Sequence, residues 1–404
     1  MFKPSFPHDC NPPTSKRKEV MPRMKLTIQS SDLADMVSVC SLAISARPLR
    51  PINECVYLSA RQSEGIPLIT VLAKDSGIGI QKVSDRAVVM EDGEALIPAK
   101  TLLNFLKLMD GEVTLAVDDH NQATLKSKGK KVNITCMDGA EFEPGLTEIP
   151  NPRLVTMNGD DYAALVNGVS HCVSVDQGRL VLTGVNLAFD GSKQENGAES
   201  CGLDGFRMAI VRRPAETNDS FSAIVPGASA KLVEKVIKGA EGVSFRFGGG
   251  IMIAEAYDTA IEVSLLAGEY MDYKALAAKQ KASMRCKVNV RSLLNAVKMA
   301  MVSAIEGKKY LVVLTFPDEE TLQVSAMADK SASVVNVPCM TEGSLSNGAS
   351  DISFNGAYLA DALAVQQQYG DEMILECSSG VVPMVMLPAE GNAFYQLVLP
   401  VRRS

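Results

Sequence analysis

The sequence predicts an α+β protein built from three copies of one module, in which a strand, a helix and several strands occur twice in succession. Three segments open alike, each with a short alternating strand and then an amphipathic helix: MKLTIQSSDLADMVSVC from Met24, RLVTMNGDDYAALVNGV from Arg153 and MRCKVNVRSLLNAVKMAM from Met284. A second set, EALIPAKTLLNFLKLM, FSAIVPGASAKLVEKVI and DISFNGAYLADALAVQQ, gives strand, small-residue turn and helix three times. The period of roughly 130 residues is much longer than a solenoid repeat, so each copy should be a domain with its own core.

The order of elements within a module follows from the periodicity of its apolar residues. In the first module Leu33, Met36, Val37 and Cys40 recur at helical spacing, and Asp32 lies where a carboxylate stabilises a helix N-terminus. The runs ECVYLSA and LITVLAKDSGIGIQKV then alternate as strands do. The second and third modules repeat this order, with LVLTGVNLAFDG and DGFRMAIVRR in one and KYLVVLTF and LQVSAMADKSASVVNV in the other.

These boundaries predict three domains, at residues 24–148, 153–278 and 284–404. Residues 1–23 precede the first module and are rich in Pro, Lys and Arg, without the apolar segment of a secretory signal. We expect them to form a disordered arm. No apolar run reaches the length of a transmembrane helix.

Composition narrows the class of protein. The 404 residues are 46% hydrophobic and 22% charged, which is typical of globular domains. Nine cysteines are scattered without a CxxC pair, which argues against a disulfide framework or a zinc site and fits a reducing cytoplasm. The net charge of −7 does not by itself indicate nucleic-acid binding, so any DNA partner requires positive charge segregated onto one surface.

A search for catalytic chemistry finds little. The chain has no GxxxxGK[ST] phosphate loop, no HExxH helix and no GxSxG elbow. His171 and Cys172 are adjacent on a helix and therefore point in different directions. Asp204 and its first-module counterpart Asp75 each precede a strand, as turn residues do. We predict a protein that is not an enzyme and needs no cofactor or metal, although a site formed from His171, Cys172 and Asp204 remains an alternative.

Several helices are enriched in basic residues with few acids nearby. An ordinary solvated helix face is one interpretation, and a stripe that meets phosphates is the other. The residues are Lys100, Lys107, Lys231, Lys235, Lys238, Lys287, Arg291 and Lys298.

The order and spacing of local motifs resemble the bacterial sliding clamp family, the beta subunit of DNA polymerase III, from residue 24 to residue 402. The motifs are MKLTI, ARPLRPI, EALIPAKTLLNFLK, GRLVLTGV, DGFRMA, SAIVPGASAKLVEKV, GEYMDYKAL and LVLPVRR. The resemblance implies a head-to-tail homodimer that closes into a six-domain ring, with helices lining the hole and sheets outside. Such a ring holds duplex DNA by topology, without reading its sequence, and acts as a processivity factor for the polymerase.

The resemblance also implies a pocket between the second and third domains for peptides of polymerase III subunits, the clamp loader and other partners. The matching positions are Leu182, Gly184, Leu203, Gly205, Phe206, Arg207, Met208, Met271, Ala275, Leu276, Pro383, Leu397, Leu399, Pro400, Val401 and Arg402. Leu203 and Ala275 depart from the residues usual in the family and make this pocket more apolar. Arg207 would be a rim residue.

Other positions carry over by the same resemblance. Arg47, Arg50 and Gln177 match loops that approach DNA, in addition to the basic helices. Val132 and Ile134 would meet Met301 and Val302 of the other protomer at the dimer joint. Because the chain has no nucleotide-binding loop, an external ATP-driven loader would open the ring. A repeat scaffold that binds only proteins is the alternative function.

Overall fold

The structure is a computed structural model that describes residues 24–193, 197–306, 310–328, 331–346 and 350–402. The arm predicted at residues 1–23 lies outside the described residues. The predicted α+β class is confirmed, because helices and antiparallel strands recur in the predicted order in all three modules.

The first module begins at Met24. Its elements are β1 (Met24–Gln29), α1 (Ser30–Cys40), β2 (Cys55–Ser63), β3 (Ile66–Asp75), β4 (Ile78–Ser84), β5 (Ala87–Glu91), β6 (Gly93–Pro98), α2 (Ala99–Leu106), β7 (Glu112–Val117), β8 (Gln122–Ser127) and β9 (Lys130–Thr135). The predicted spacing in α1 is confirmed, since Leu33, Met36, Val37 and Cys40 are all buried.

The second module has the same order except that four strands, not five, lie between its two main helices, so it has no separate equivalent of β5, and one short helix is added at its end. Its elements are β10 (Arg153–Met157), α3 (Gly159–Val169), β11 (Gly184–Phe189), β12 (Ala198–Leu203), β13 (Arg207–Arg213), β14 (Phe221–Pro226), α4 (Gly227–Ile237), β15 (Val243–Gly248), β16 (Ile251–Ala256), β17 (Thr259–Ser264) and α5 (Tyr273–Ala278). Short 3-10 helices at Ser170–Cys172 and Gln177–Thr183 follow α3.

The third module lacks a separate strand equivalent to β5. Its elements are β18 (Met284–Asn289), α6 (Val290–Glu306), β19 (Leu311–Thr315), β20 (Thr321–Met327), β21 (Ala332–Gly343), β22 (Asp351–Asn355), α7 (Gly356–Gln366), β23 (Glu372–Cys377), β24 (Met384–Pro388) and β25 (Phe394–Val398). The long strand β21 pairs with β20 through its first half and with β18 through its second half.

The chain divides into two compact units that do not coincide with the three modules. The first unit combines residues up to Gly159 with Leu232–Leu265, and the second combines Asp160–Lys231 with Leu266–Ser404. The division cuts the second module because hydrogen-bonded strand pairs run across module boundaries. Strand β17 pairs with β4 of the first module, and β13 pairs with β25 of the third.

The first unit holds two sheets. One has five strands in the order β5-β1-β7-β8-β9, and the other has eight in the order β10-β15-β16-β17-β4-β3-β2-β6. Inward residues of these strands alternate with outward ones, as in Leu26 and Ile28 of β1, which are buried. Helices α1 and α2 bury their apolar stripes in the same unit, including Leu33 of α1 and Leu102 and Leu106 of α2.

The second unit holds one sheet of twelve strands in the order β14-β11-β12-β13-β25-β24-β23-β18-β21-β20-β19-β22. Its main core lies under α6 and α7, where Leu293, Val297, Leu359 and Leu363 are each 0% exposed. A second, smaller apolar cluster lies where β12, β13 and β25 meet α5. This smaller cluster is the floor of the candidate site.

Candidate functional site

The predicted pocket residues come together in the second unit, around the pairing of β13 with β25. Met208 lies opposite Leu397 and Arg207 opposite Val398 in this antiparallel ladder. The chain after β25 stays close, because the amide of Leu399 donates to the carbonyl of Phe206 over 2.8 Å. The DGFRM motif and the C-terminal motif, which are far apart in sequence, therefore form one surface.

Four of the predicted residues form the buried floor of this surface. Leu182, Leu203, Met208 and Leu397 belong to one apolar cluster and are 3%, 5%, 0% and 7% exposed. They set the shape of the pocket but have little surface left for a partner. Gly184 also has a packing role, since a Cβ there would lie 2.5 Å from Cγ2 of Ile224.

A second group of predicted residues keeps accessible surface above this floor. Phe206 is 57% exposed, Met271 49% and Val401 39%. The half-buried members are Ala275, Leu276, Pro383, Leu399 and Pro400, and Arg402 is exposed. A ligand on this surface would therefore meet mainly aliphatic and aromatic groups, with few polar ones.

The turn before β13 fixes Phe206 and Arg207 in place. Asp204 accepts hydrogen bonds from the amides of Phe206 and Arg207, at 2.8 and 2.9 Å, as predicted for a turn aspartate. Gly205 between them has a φ of +92°, which a residue with a side chain rarely adopts. The short turn therefore presents the Phe206 ring to solvent.

Arg207 is held by two carboxylates and an aromatic ring. Its Nε donates to Asp204 over 3.0 Å and its Nη1 to Asp361 over 2.8 Å. Its guanidinium carbon lies 4.3 Å from the centroid of the Tyr358 ring. Burial opposes the charge, but the hydrogen bonds and charges of Asp361 and Asp204 outweigh it and raise the pKa of Arg207.

Tyr358 and Asp361 of α7 are site residues that the sequence analysis missed. The centroids of Tyr358 and Phe206 lie 5.9 Å apart, so the two rings form an aromatic ledge beside the apolar floor. The only sequence signal was their spacing of three residues in GAYLADAL, which places both on one helix face. Nothing in the sequence pattern indicated that this face meets Arg207.

Glu199 of β12 is another residue that the sequence did not indicate, and it fixes the position of α5. It accepts hydrogen bonds from Tyr273 at 2.7 Å and from Arg212 at 2.8 Å, and it pairs with Lys274 at 3.3 Å. Asp272 caps the same helix by accepting from the amide of Ala275 over 3.0 Å. These contacts hold Ala275 and Leu276 at the pocket.

The alternative catalytic group does not have the chemistry of a nucleophile and its base. Burial raises the pKa of Cys172 well above that of a free thiol, whereas a nucleophilic cysteine needs a lowered pKa. His171 is half-buried, and desolvation together with the charge of Arg207 lowers its pKa to about 4. Its Nε2 lies 3.0 Å from Oε1 of Gln396, and Asp204 is bound to Arg207.

The residues predicted to face DNA are all exposed. In the first unit they are Arg47, Arg50, Lys100, Lys107, Lys235 and Lys238, and in the second Gln177, Lys231, Arg291 and Lys298. Arg291 and Lys298 lie two turns apart on α6 and so share one face of that helix. Arg50 approaches Glu141 at 4.0 Å, a surface pair too exposed to hold it firmly.

The predicted dimer residues differ in how much surface they offer. Val302 is 71% exposed on α6, whereas Ile134 on β9 is 4% exposed. Met301 packs against the core of its own module. The assignment of Val132, Ile134, Met301 and Val302 to the dimer joint stays a prediction. Val302 and the half-buried Val132 have the most surface available in the single chain, and Ile134 and Met301 pack largely within it.

Two further properties concern metal-ligand groups and membrane-spanning helices. Within the residues that the structure describes, no group of three or more His, Cys, Asp or Glu side chains is arranged to hold a metal ion. Among the described helices, none combines the length and the hydropathy needed to span a bilayer.

Comparison with known proteins gives a consistent result. The family model described as DNA polymerase III beta subunit, N-terminal domain, matches residues 24–147, and the model for the central domain of that subunit matches residues 156–272. A beta sliding clamp from Synechocystis sp. is 27% identical over 409 residues, covering 94% of this chain and 99% of the relative. A beta sliding clamp from Staphylococcus epidermidis is 23% identical over 392 residues, with the same two coverages, 94% and 99%.

Solved structures share the fold. The DNA polymerase sliding clamp from Bacillus subtilis superposes with a TM-score of 0.86 at 23% identity, over 95% of this chain and 100% of that one. A sliding clamp from Pseudomonas aeruginosa bound to griselimycin gives a TM-score of 0.81 at 19% identity, over 94% and 100% of the two chains.

Proposed function

The chain belongs to the bacterial sliding clamp family, the beta subunit of DNA polymerase III, and we propose that two copies close head to tail into a ring around duplex DNA. In this proposal the ring has six domains, three from each protomer, bounded at residues 24–148, 153–278 and 284–404. Helices line the hole and sheets form the outer wall. The ring tethers the polymerase to its template in the cytoplasm and carries out no catalysis itself.

Strand pairing within the chain is the observation that carries the dimer. The last strand of the second module, β17, pairs with β4 of the first, and the last strand of the third, β25, pairs with β13 of the second. The last strand of the first module, β9, ends its sheet and has a described hydrogen-bonded neighbour on one side only. The first half of β21 is likewise paired on one side, with β20, within the described residues.

Head-to-tail pairing would satisfy both of these edges. Strand β9 of one protomer would add to the first half of β21 of the other, as β17 adds to β4. Unpaired edges favour association with another chain, so a closed ring in which β9 and β21 pair is the expected assembly. Val302 on α6 and Val132 on β9 would supply the apolar part of this joint.

Exposed basic residues on helices and loops support the DNA part of the proposal. A ring that encircles DNA needs only loose contacts to phosphates, which lysines and arginines supply without recognising bases. Arg291 and Lys298 on α6, Lys100 on α2 and Lys107 directly after α2 have this character, since all four are exposed. The overall charge of −7 makes tight non-specific binding by the whole surface implausible and favours retention by topology.

The surface around β13 and β25 supports a pocket for partner peptides. Its buried floor, the ledge formed by Phe206 and Tyr358, and the fixed Arg207 combine apolar area with a few polar guides, which is how short peptides are anchored. The relative from Pseudomonas aeruginosa that binds griselimycin shows that a clamp of this fold can hold a ligand. We expect peptides of polymerase III subunits and of the clamp loader to bind here.

Retention on circular but not on linear DNA distinguishes a ring from the alternative functions. The protein should sediment as a dimer, should stay on nicked circular DNA after loading, and should be lost when the circle is cut. Matched linear DNA of the same length and sequence is the control for ordinary binding. A monomer in solution, or equal retention on circular and linear DNA, would contradict the ring and favour a scaffold that binds only proteins.

A further inference from the structure

The loop between α1 and β2 of the first module has an exposed middle and two fixed ends. Its residues Ser45 to Arg50 include Arg47, Arg50 and Leu49, which is 88% exposed. Pro48 and Pro51 each restrict the backbone of this short segment. After them Ile52 is 7% exposed and belongs to the apolar cluster that contains Tyr57 and Leu72.

Both ends of the loop are bound by the same carboxylate, that of Asp75 at the end of β3. The amide of Ser45 donates to Oδ2 of Asp75 over 3.0 Å, and Nδ2 of Asn53 donates to Oδ1 over 2.8 Å. Ser76 adds a hydrogen bond of 3.0 Å to Oδ1. One side chain thus closes the segment between residues 45 and 53, and Arg47 and Arg50 in its middle are exposed.

The same position of the second module is used differently. Asp204 corresponds to Asp75 in the repeat, but it binds the amides of its own turn and the guanidinium of Arg207. Both loops contain a 3-10 helix, Pro51–Glu54 in the first module and Gln177–Thr183 in the second, but the second is capped locally by Asp176. Binding of the loop ends is therefore a feature of Asp75 itself and does not follow from a turn aspartate at this place in the module.

Asp75 is suited to this role because it is buried and charged. It is 4% exposed. Burial alone would raise its pKa, but the hydrogen bonds from Ser45, Asn53 and Ser76 outweigh that effect and lower the pKa below its ordinary value. Hydrogen bonds to an ionised group are stronger than neutral ones, so the loop ends are held by charge-assisted bonds.

We propose that Asp75 is the positioning residue for the DNA-facing loop, holding residues 45 to 53 so that Arg47 and Arg50 are presented to DNA in a fixed geometry. The inference rests on the proposed function for its DNA part and on the hydrogen bonds alone for its structural part. A loop ordered in advance does not lose that freedom on binding, which strengthens each phosphate contact it makes.

The structural part is tested by amide hydrogen exchange on the full-length dimer without DNA. Asp75→Asn removes the charge and leaves one acceptor oxygen where two now serve Ser45, Asn53 and Ser76, so exchange at Ser45 should accelerate about tenfold or more. Asn53→Ala removes only one of the two ends and should give a smaller acceleration, which keeps the test usable if Asp75→Asn lowers overall stability. Unchanged exchange at Ser45 in Asp75→Asn would overturn the inference.

The functional part uses the affinity for a short duplex at low salt, measured by fluorescence anisotropy. Asp75→Asn removes a negative charge, so electrostatics alone predict tighter binding, whereas lost positioning predicts binding that is weaker by about three- to tenfold. The slope of log affinity against log salt should stay unchanged in this variant because both arginines remain. Arg47→Ala should instead reduce that slope by about 0.9, the value for one phosphate contact.

Asp118→Asn is the matched control. Asp118 also accepts two amide hydrogen bonds in a turn of the first module, from His120 at 2.9 Å and Gln122 at 3.0 Å, and its replacement makes the same change in charge. Equal affinities of Asp75→Asn and Asp118→Asn would overturn the positioning role. If Arg47→Ala left both the affinity and the salt slope unchanged, the assignment of this loop to DNA would fail. The hydrogen-exchange result would then test only whether Asp75 holds the ends of the loop.

Discussion

The double substitution Leu399→Ala with Val401→Ala should weaken partner-peptide binding while leaving the dimer and the fold intact. Both residues lie on the segment after β25, where Leu399 is half-buried and Val401 is 39% exposed. The segment is held by backbone bonds, from the amide of Leu399 to Phe206 at 2.8 Å and from the amide of Val401 to Ser353 at 2.7 Å. Truncating the side chains leaves these bonds in place, so the segment should stay docked.

The size of the effect follows from the apolar groups removed. The two changes delete five carbons, worth at most about 4 kcal/mol if a peptide buried them completely from water. Because both side chains are already partly covered, we expect about half, or about 2 kcal/mol, which corresponds to an affinity about 30-fold weaker. The fluorescence anisotropy of a labelled peptide from a polymerase III subunit measures this loss of affinity, and sedimentation checks the dimer.

Val88→Ala with Met90→Ala is the matched control for this experiment. These residues are 60% and 50% exposed on β5 of the first unit, outside the pocket. Removing them deletes a similar amount of apolar surface and should leave peptide affinity unchanged. Unchanged affinity in the Leu399 and Val401 variant, or loss of its dimer, would refute the assignment of the pocket.

Three further predictions concern individual side chains. Tyr358→Ala should weaken peptide binding about fivefold through loss of the ring that supports Phe206 and Arg207, whereas Tyr358→Phe should bind normally; equal affinities of the two variants would contradict this. Alkylation of the native protein at pH 8 should label Cys339, which is half-buried, well before Cys40, whose pKa burial raises to about 12; mass spectrometry identifies the site, and early labelling of Cys40 would contradict the burial. His171 has a pKa of about 4 in the folded protein and of about 6.5 in the unfolded chain, so acid protonates the unfolded chain first. The free energy of unfolding should therefore fall by about 3 kcal/mol between pH 7 and pH 4 because of this residue. Chemical denaturation at pH 7 and pH 4 should show that His171→Gln reduces this loss; an equal loss in both proteins would contradict it.

Local sequence patterns predicted much of this structure, because the helices, strands and turns of each module are determined by residues close together in sequence. Helical spacing placed Leu33, Met36 and Val37 in the core, and the turn role of Asp204 followed from its place before a strand. The resemblance to the sliding clamp family predicted that the DGFRM motif and the C-terminal motif lie close together. Periodicity alone could not, since no local signal links β13 to β25.

The parts that sequence missed depend on contacts between distant segments. Tyr358 and Asp361 lie on a helix of ordinary composition, and only the folded chain places them against Arg207. The two compact units differ from the three modules because strands pair across the boundaries of the repeat.

The two module joints made within the chain use the same strand pairing but differ in chemistry. At the joint of β4 and β17, Ile80 lies opposite Ile261, and both are 0% exposed. At the joint of β13 and β25, Ala209 lies opposite Gln396, which is 1% exposed. An apolar pair tolerates small changes of packing, whereas a buried amide requires partners in fixed places.

The partners of Gln396 support the proposal that the second joint is also a binding site. Its amide nitrogen donates to the carbonyl of Ala362 over 3.1 Å and to Oε1 of Gln366 over 3.0 Å, and its oxygen lies 3.0 Å from Nε2 of His171. These bonds connect β25 to α7 and to the 3-10 helix after α3, directly behind Met208 and Leu397. Hydrogen bonds are directional, so they fix the register and the distance of these elements more narrowly than apolar contact does. Under the proposed function, the surface in front of them would be fixed before a peptide binds, so less of the binding free energy would be spent on ordering it.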